Sequence, residues 1–245
     1  MRKHRMVIMF LGLAAAVVLA AGGGLAQDAT PVAITGANTA ELTNPMVPFS
    51  NVPVKFYEGE QTDPETGETV VIRVEERVLP ETKVIAGVDA MVVEAKDIED
   101  GELIELTHDY YAQSSDGTVY YLGEDVNDYE DGEVVGHNGA WLAGEGDNLA
   151  GVFMLPDPQV GDVFEQERAP GIAEDRSTVL ETGLSLSTPA GDFTGCMKTE
   201  DVNPLDGETE FKFYCPDVGL VREEGENSFI ELISYEGASQ STPAA

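Results

Sequence analysis

Short apolar runs rich in Val, Ile, Tyr and Phe alternate along the chain with turns built on pairs such as Asp100-Gly101 and Asp206-Gly207. Runs of this length, bounded by Gly, Asp, Asn and Pro, are typical of β-strands. The pattern predicts strands at Val52–Tyr57, Thr69–Val78, Lys83–Ala86, Ala90–Ile98, Leu103–Gln113, Val119–Leu122, Ala140–Leu142, Asp162–Glu167, Thr178–Ser187, Phe193–Thr199, Glu210–Cys215, Gly219–Glu223 and Phe229–Tyr235.

Short turns between consecutive strands predict an antiparallel meander. A sheet with so many strands has to curl into a half-barrel or divide into two packed sheets. Only Ile172–Leu180, with early acidic residues and loosely spaced apolar ones, resembles a helix. We therefore expect an all-β fold, a curved antiparallel sheet with little helix.

The clearest local signal is the hairpin around Ser115-Asp116-Gly117-Thr118. An Asp-Gly pair between two apolar runs predicts a two-residue turn in which both central residues have positive φ. With that turn Ser115 pairs with Thr118. The same register places Asp109 opposite Glu124 and His108 opposite Asp125.

Alternate residues of a strand share a face, and the face that carries His108 is otherwise mostly apolar. We expect this face to be the core side, so that His108 forms a satisfied core pair with the opposite carboxylate or serves as a ligand or proton carrier. The residues of the face are Ile104, Leu106, His108, Tyr110 and Ala112.

The pairing of Asp109 with Glu124 needs compensation, because like charges directly opposite one another destabilise a sheet. Solvent exposure, a raised pKa on one partner, a nearby Arg or a bound cation would each supply it.

The acidic stretch 124–133 has the composition of a calcium loop without the EF-hand pattern. Counted from Asp125, Tyr129 stands where an oxygen ligand is required and Glu130 where glycine makes the turn. The stretch is either a solvated acidic turn or an irregular Ca²⁺ site.

His137 follows this stretch, and two histidines among carboxylates suit a first-row divalent metal better than Ca²⁺. The candidate metal ligands are His108, Asp109, Glu124, Asp125 and His137.

The N-terminus has the pattern of a secretory signal. A basic segment that includes Arg2, Lys3 and Arg5 precedes the apolar run 6–21, and small residues lead to Ala26. We expect cleavage after Ala26 and an extracytoplasmic location, secreted, periplasmic or at the cell surface, with an uncleaved membrane anchor as the alternative. The expected divisions are a signal peptide at 1–26, a disordered lead-in at 27–43, one β-rich domain at 44–236 and a disordered tail at 237–245.

Charge narrows the range of partners. The chain of 245 residues has 46 acidic and 13 basic residues, and loss of Arg2, Lys3 and Arg5 leaves 10 basic residues and a net charge of −36. Such a surface repels nucleic acid and anionic membranes, so we expect neither as a partner. It attracts cations, although high acidity also serves solubility.

The remaining motifs indicate no catalytic activity. The chain has two cysteines, Cys196 and Cys215. An even number of cysteines in a chain expected to be exported predicts one disulfide. The sequence contains neither a Gly-x-Ser-x-Gly elbow nor a phosphate loop. No catalytic or cofactor-binding residue is predicted.

A resemblance adds to this picture. The segment Pro189-Ala-Gly-Asp-Phe193, the later Tyr214-Cys-Pro-Asp-Val-Gly-Leu-Val221 and the hairpin Asp109–Asp125 are similar to segments of secreted bacterial β-rich proteins of uncharacterised function. The sheets of that family are likened to the open β-barrels of lipoprotein-carrier proteins. The similarity covers roughly Pro48 to Tyr235. It implies a curved sheet that cradles an apolar ligand, and it carries over no catalytic residue.

Together these features predict an exported, non-enzymatic binding protein. Its ligand would be a divalent cation at the central hairpin or a hydrophobic molecule in the concavity of the sheet. The alternatives are a secreted hydrolase that uses the carboxylates of Asp109 and Glu124, and a structural envelope or adhesion module.

Overall fold

The computed structural model describes residues 40–237. Strands account for most of this part, and none of its residues is helical. In chain order the strands are β1 Val54–Thr62, β2 Thr69–Ile85, β3 Val88–Glu99, β4 Glu102–Gln113, β5 Val119–Glu130, β6 Glu133–Gly136, β7 Trp141–Leu142, β8 Gly151–Met154, β9 Val163–Glu165, β10 Arg176–Thr188, β11 Gly191–Val202, β12 Thr209–Cys215, β13 Gly219–Glu224 and β14 Ser228–Glu236.

All fourteen strands belong to one antiparallel sheet, in the order β6-β5-β4-β3-β2-β1-β14-β13-β12-β11-β10-β9, with β7 and β8 paired to β5. The sheet is open, because no ladder between described strands joins β8 to β9. Its two ends nevertheless meet at a single bridge between Leu149 and Arg168. The predicted all-β antiparallel fold is confirmed, and of the two predicted arrangements the structure has the single curled sheet.

Two local predictions are wrong. The proposed helix at Ile172–Leu180 contains the start of β10 at Arg176, because Arg176, Ser177 and Thr178 pair with β9. The second strand of the central hairpin does not end at Leu122. It continues to Glu130, since the acidic residues after Leu122 pair with β4.

The central hairpin reaches its predicted register by an unexpected route. Its turn has three residues, because the Ser114 amide donates to the Thr118 carbonyl and only Gly117 has positive φ. Tyr111 therefore pairs with Tyr121. Opposite Tyr110 the partner strand contributes an extra residue at Gly123, where φ is 113°. This bulge restores the predicted pairs of Asp109 with Glu124 and His108 with Asp125.

The predicted disulfide between Cys196 and Cys215 is present and joins β11 to β12. A formed disulfide is typical of an extracytoplasmic protein.

The segment before β1 packs on the sheet. Leu42, Val47, Phe49 and Val52 are all buried, and the Thr43 amide donates to Gln113. Residues 40–43, which belong to the predicted lead-in, are thus ordered against the domain. The predicted signal peptide, the rest of the lead-in and most of the tail lie outside the described residues. Within residues 40–237 no helix is long and apolar enough to cross a membrane.

Candidate functional site

The inner face of the curved sheet is lined by carboxylates. On β4, Glu105, Thr107 and Asp109 are buried on one face. On the His108 face Ile104, Tyr110 and Ala112 are also buried, whereas Leu106 and His108 are partly exposed. The prediction that the His108 face is the core side is therefore wrong at these positions. Residues of either face recur at every second position of β4, so sequence alone favoured the more apolar face as the buried one.

Buried charge extends well beyond β4. Within residues 40–237, nine carboxylates are almost fully buried with only two lysines, Lys55 and Lys212. These carboxylates are Glu76, Asp97, Glu99, Glu105, Asp109, Glu124, Glu167, Asp201 and Glu223. Burying an ion without a partner is very costly, so such carboxyls take up protons or pair with cations.

Asp109 and Glu124 are the most deeply buried of these groups, at 0% and 2% exposure. The Tyr121 hydroxyl donates to Asp109 Oδ1 over 2.6 Å, while Asp109 Oδ2 and Glu124 Oε1 have no hydrogen-bond partner. Burial raises the pKa of both carboxyls well above the usual range. Glu167 and Asp109 add to the rise at Glu124, and Glu76 and Glu105 add to it at Asp109. Of the compensations expected for this like-charge pair, a raised pKa is therefore the one that its burial favours.

Further carboxyls in the interior behave in the same way. Burial raises the pKa of Glu105 to about 7, with a contribution from Asp128. Burial raises the pKa of Asp175 to about 6, although Lys212 opposes the shift. The pKa of Glu167 is also raised, first by burial and then by Asp175. The interior can therefore bind several protons near neutral pH.

The two buried lysines offset part of this charge. Lys55 Nζ lies 2.6 Å from Glu76 Oε2. Lys212 Nζ lies among three carboxylates, 3.4 Å from Asp201, 3.5 Å from Glu210 and 3.9 Å from Glu223. Burial alone would lower the pKa of Lys212, but these carboxylates raise it well above its usual value.

The interior leaves little room for a hydrophobic cargo. A cavity bounded by Met46, Phe49, Lys55, Lys212 and Tyr214 has a volume of about 20 Å³. This is space for one or two water molecules and not for an acyl chain. Asp109 and Glu124 are almost completely buried, so no substrate can contact them in this conformation.

The five predicted metal ligands do not come together. Asp109 and Glu124 face inward, whereas His108 is partly exposed beside Glu94, with its Nε2 atom 3.3 Å from the Glu94 carboxylate. His137 directs Nδ1 to the Val126 carbonyl oxygen at 2.6 Å. Among residues 40–237 no group of three or more His, Cys, Asp or Glu side chains is arranged to hold a metal ion.

Asp125 lies opposite His108 on the outer face, in a cluster with Lys83 and Tyr110. Its Oδ2 atom accepts hydrogen bonds from Lys83 at 2.6 Å and from Tyr110 at 2.5 Å. Burial would raise the pKa of Asp125, but these two donors bring it below the usual value. Asp125 therefore has protein partners where the sequence analysis expected a metal.

An open acidic pocket lies at the ends of several strands, where three hairpin turns are side by side. The turns join β1 to β2, β11 to β12, and β13 to β14. The pocket has a volume of about 670 Å³ and is lined by four carboxylates and by apolar or neutral groups that include Phe211 and Gln61. The carboxylates are Asp206, Glu208, Glu210 and Glu226.

The carboxylates of this acidic pocket repel one another. Burial, followed by the charges of Asp206 and Glu210, raises the pKa of Glu208. Glu210 also contacts Lys212, so it joins the acidic pocket to the buried charges. No local sequence pattern indicates this site, because its acidic residues come from turns that are far apart in the chain and each turn alone is an ordinary solvated loop.

Comparison with known proteins gives little further guidance. No family model matches the chain, and no curated protein matches it. Among solved structures, a candidate lipoprotein from Parabacteroides distasonis is similar over 81% of this chain and 100% of its own, with 14% sequence identity and a TM-score of 0.39. The likeness to lipoprotein-carrier sheets stays a prediction.

Proposed function

We propose that the chain is an exported binding protein whose acidic pocket takes a small organic molecule with several positive charges. The observation that carries this proposal is a pocket of about 670 Å³ with four carboxylates on its lining. Pockets for small molecules usually have volumes of about 300–1,000 Å³. The lining residues include no lysine or arginine.

An organic cation suits the acidic pocket better than a metal ion. A metal needs several oxygen ligands within about 2.0–2.6 Å of one point, and no such group exists among residues 40–237. The carboxylates instead line a pocket of about 670 Å³, which has room for separated ammonium groups on a flexible chain. A ligand of this kind would also relieve the repulsion among Glu208, Asp206 and Glu210.

Isothermal titration calorimetry with spermidine tests the proposal, with 1,7-heptanediol as an uncharged probe of similar length. We expect saturable binding of spermidine, no binding of the diol, and an affinity that falls steeply with salt because the carboxylates are open to solvent. Replacing Glu208 and Glu226 by Gln should weaken binding by about tenfold or more, which corresponds to roughly 1.4 kcal/mol.

The matched control replaces Glu130 and Glu133 by Gln. These exposed residues flank the β5–β6 turn and carry the same charge outside the acidic pocket. The control should bind spermidine as the unmodified protein does. Equal weakening in both variants would mean that spermidine binds only to the general negative charge, and the proposal would fail.

A further inference from the structure

The open sheet has a seam where its ends meet, and few hydrogen bonds cross it. We define the seam as Leu149–Met154 on one side and 163–168 on the other. The Leu149 amide donates to the Arg168 carbonyl at 3.0 Å, and Gln166 Nε2 donates to the Phe153 carbonyl at 3.4 Å. Elsewhere around the sheet, neighbouring strands are joined by continuous ladders. The seam is therefore held by packing of apolar side chains, among them Phe153 and Phe164 of the hydrophobic core, and not by a backbone ladder.

Buried carboxyls lie on both sides of this seam. Asp109 and Glu124 come from β4 and β5 on one side, and Glu167 follows β9 on the other. Asp109 Oδ2, Glu124 Oε1 and both carboxyl oxygens of Glu167 have no hydrogen-bond partner within standard geometry. Unpartnered oxygens in such a place are satisfied by protons or by water that enters through the seam.

Other charged groups surround these three carboxyls, and they are predominantly acidic. Glu105 on β4 and Asp175 after β9 add negative charge, and the Glu76 carboxylate is neutralised by Lys55. Lys212 is the ammonium group that acts on Glu167, but it is already shared by Asp201, Glu210 and Glu223. The Tyr121 hydroxyl donates to Asp109, and its own pKa is raised, so it stays neutral.

We propose that the seam is a proton-operated latch, closed while Asp109, Glu124 and Glu167 hold protons and open to water when these protons leave. In the closed state the three carboxyls are neutral and can lie close together. Once ionised, Asp109 and Glu124 repel Glu167 across the seam, and all three carboxylates need solvation. Separation of the two sides meets both demands. The rest of the sheet stays paired, because water that enters the open seam solvates Asp109 and Glu124 and screens their repulsion within the β4–β5 ladder.

The chain contains its own reporter of this movement. Trp141 is the only tryptophan, it is 3% exposed, and its ring packs edge-on against Tyr121 with centroids 5.5 Å apart. The indole N–H lies near Glu167 and offsets part of the rise in its pKa, although it falls outside hydrogen-bond geometry. Opening of the seam would admit solvent directly to this ring.

Acrylamide quenching of Trp141 fluorescence tests the latch, with lifetimes used to obtain the bimolecular rate constant. We expect this constant to rise at least about threefold between about pH 5 and about pH 8 while far-UV circular dichroism stays unchanged, as local opening requires. The Glu124→Gln, Glu167→Gln double variant should remain protected from quenching at both pH values.

The matched control is the Glu145→Gln, Asp147→Asn double variant, which removes two exposed carboxylates from the loop after Trp141. Its quenching constant should rise with pH as that of the unmodified protein does. A quenching constant that does not change with pH in the unmodified protein overturns the proposal without any variant. A similar rise in the neutral double variant, or loss of circular dichroism over the same range, overturns it as well.

Discussion

The residue with the most concentrated electrostatic role is Lys212. Its ammonium group is 5% exposed and faces Asp201, Glu210 and Glu223 within 3.9 Å. An isolated ion pair at the surface contributes little to stability, whereas removal of one partner from a buried pair leaves an uncompensated charge. Lys212 therefore decides whether these three carboxylates can remain inside the sheet.

We expect Lys212→Met to reduce the free energy of unfolding by about 3–5 kcal/mol at neutral pH. Methionine retains most of the side-chain volume, so the loss is one of charge. Urea unfolding measures it. Lys96→Met is the matched control, because Lys96 pairs with Glu94 in a partly exposed position and should cost about 1 kcal/mol or less. Equal losses in the two variants would contradict the role given to Lys212.

The same variant should be less destabilised at acidic pH. Protonation neutralises the carboxylates that Lys212 leaves unpaired, so the difference from the unmodified protein should shrink between about pH 7 and about pH 5. Urea unfolding at both pH values tests this expectation, and a difference that is independent of pH would refute it.

Among the elements, β8 depends on a glycine at the seam. A Cβ atom on Gly151 would overlap the Gln166 backbone carbonyl across the seam. The φ angle of Gly151 is not in the left-handed region. The constraint therefore comes from the approach of the two backbones and not from backbone conformation.

Gly151→Ala should thus destabilise the protein by about 1–3 kcal/mol, as overpacking does elsewhere. Gly225→Ala is the control, since its added Cβ would meet the Ser228 hydroxyl, which can rotate away. Thermal unfolding of the two variants side by side gives the comparison. If Gly225→Ala costs as much as Gly151→Ala, the close approach at β8 is not the cause.

At this scale much of the architecture follows from local sequence. Turn residues and β-branched runs locate most strands, and Asp109 is correctly paired with Glu124. The turn type was wrong, and a bulge at Gly123 compensates for it. The buried face of β4 was also wrong at His108 and Asp109. A single strand cannot reveal which face points inward when the interior itself is acidic, because that depends on partners such as Glu167 and Glu76 from distant parts of the chain.

For the whole molecule, the distribution of charge is more informative than its total. The net charge of the chain, −33, is a matter of counting residues. The structure divides these carboxylates between an open acidic pocket, a buried interior and an exposed surface. The long-range pairs that create the acidic pocket and the seam join turns and strands distant in sequence, so no local pattern could predict either.

The buried carboxyls also set how stability should depend on pH. A carboxyl whose pKa is higher in the folded than in the unfolded state binds its proton more tightly when folded. Its contribution to stability is complete below the unfolded pKa and is lost as the pH rises through the folded pKa. Glu105 changes from an ordinary value of 4.5 to about 7, and Asp175 from 3.8 to about 6. Asp109, Glu124, Glu167 and Glu223 shift in the same direction.

We therefore expect the free energy of unfolding to be greater near pH 5 than near pH 8, with most of the loss between about pH 5 and about pH 7. Carboxyls with lowered pKa, such as Asp63 and Asp116, oppose this only at lower pH, because they keep their charge through this window. Urea unfolding across the range measures the effect, and Glu105→Gln should reduce the dependence on pH. Exposed carboxylates repel one another more as pH rises, but salt screens that repulsion. A pH dependence that disappears in concentrated salt would therefore assign the effect to the surface, whereas one that persists belongs to the buried carboxyls.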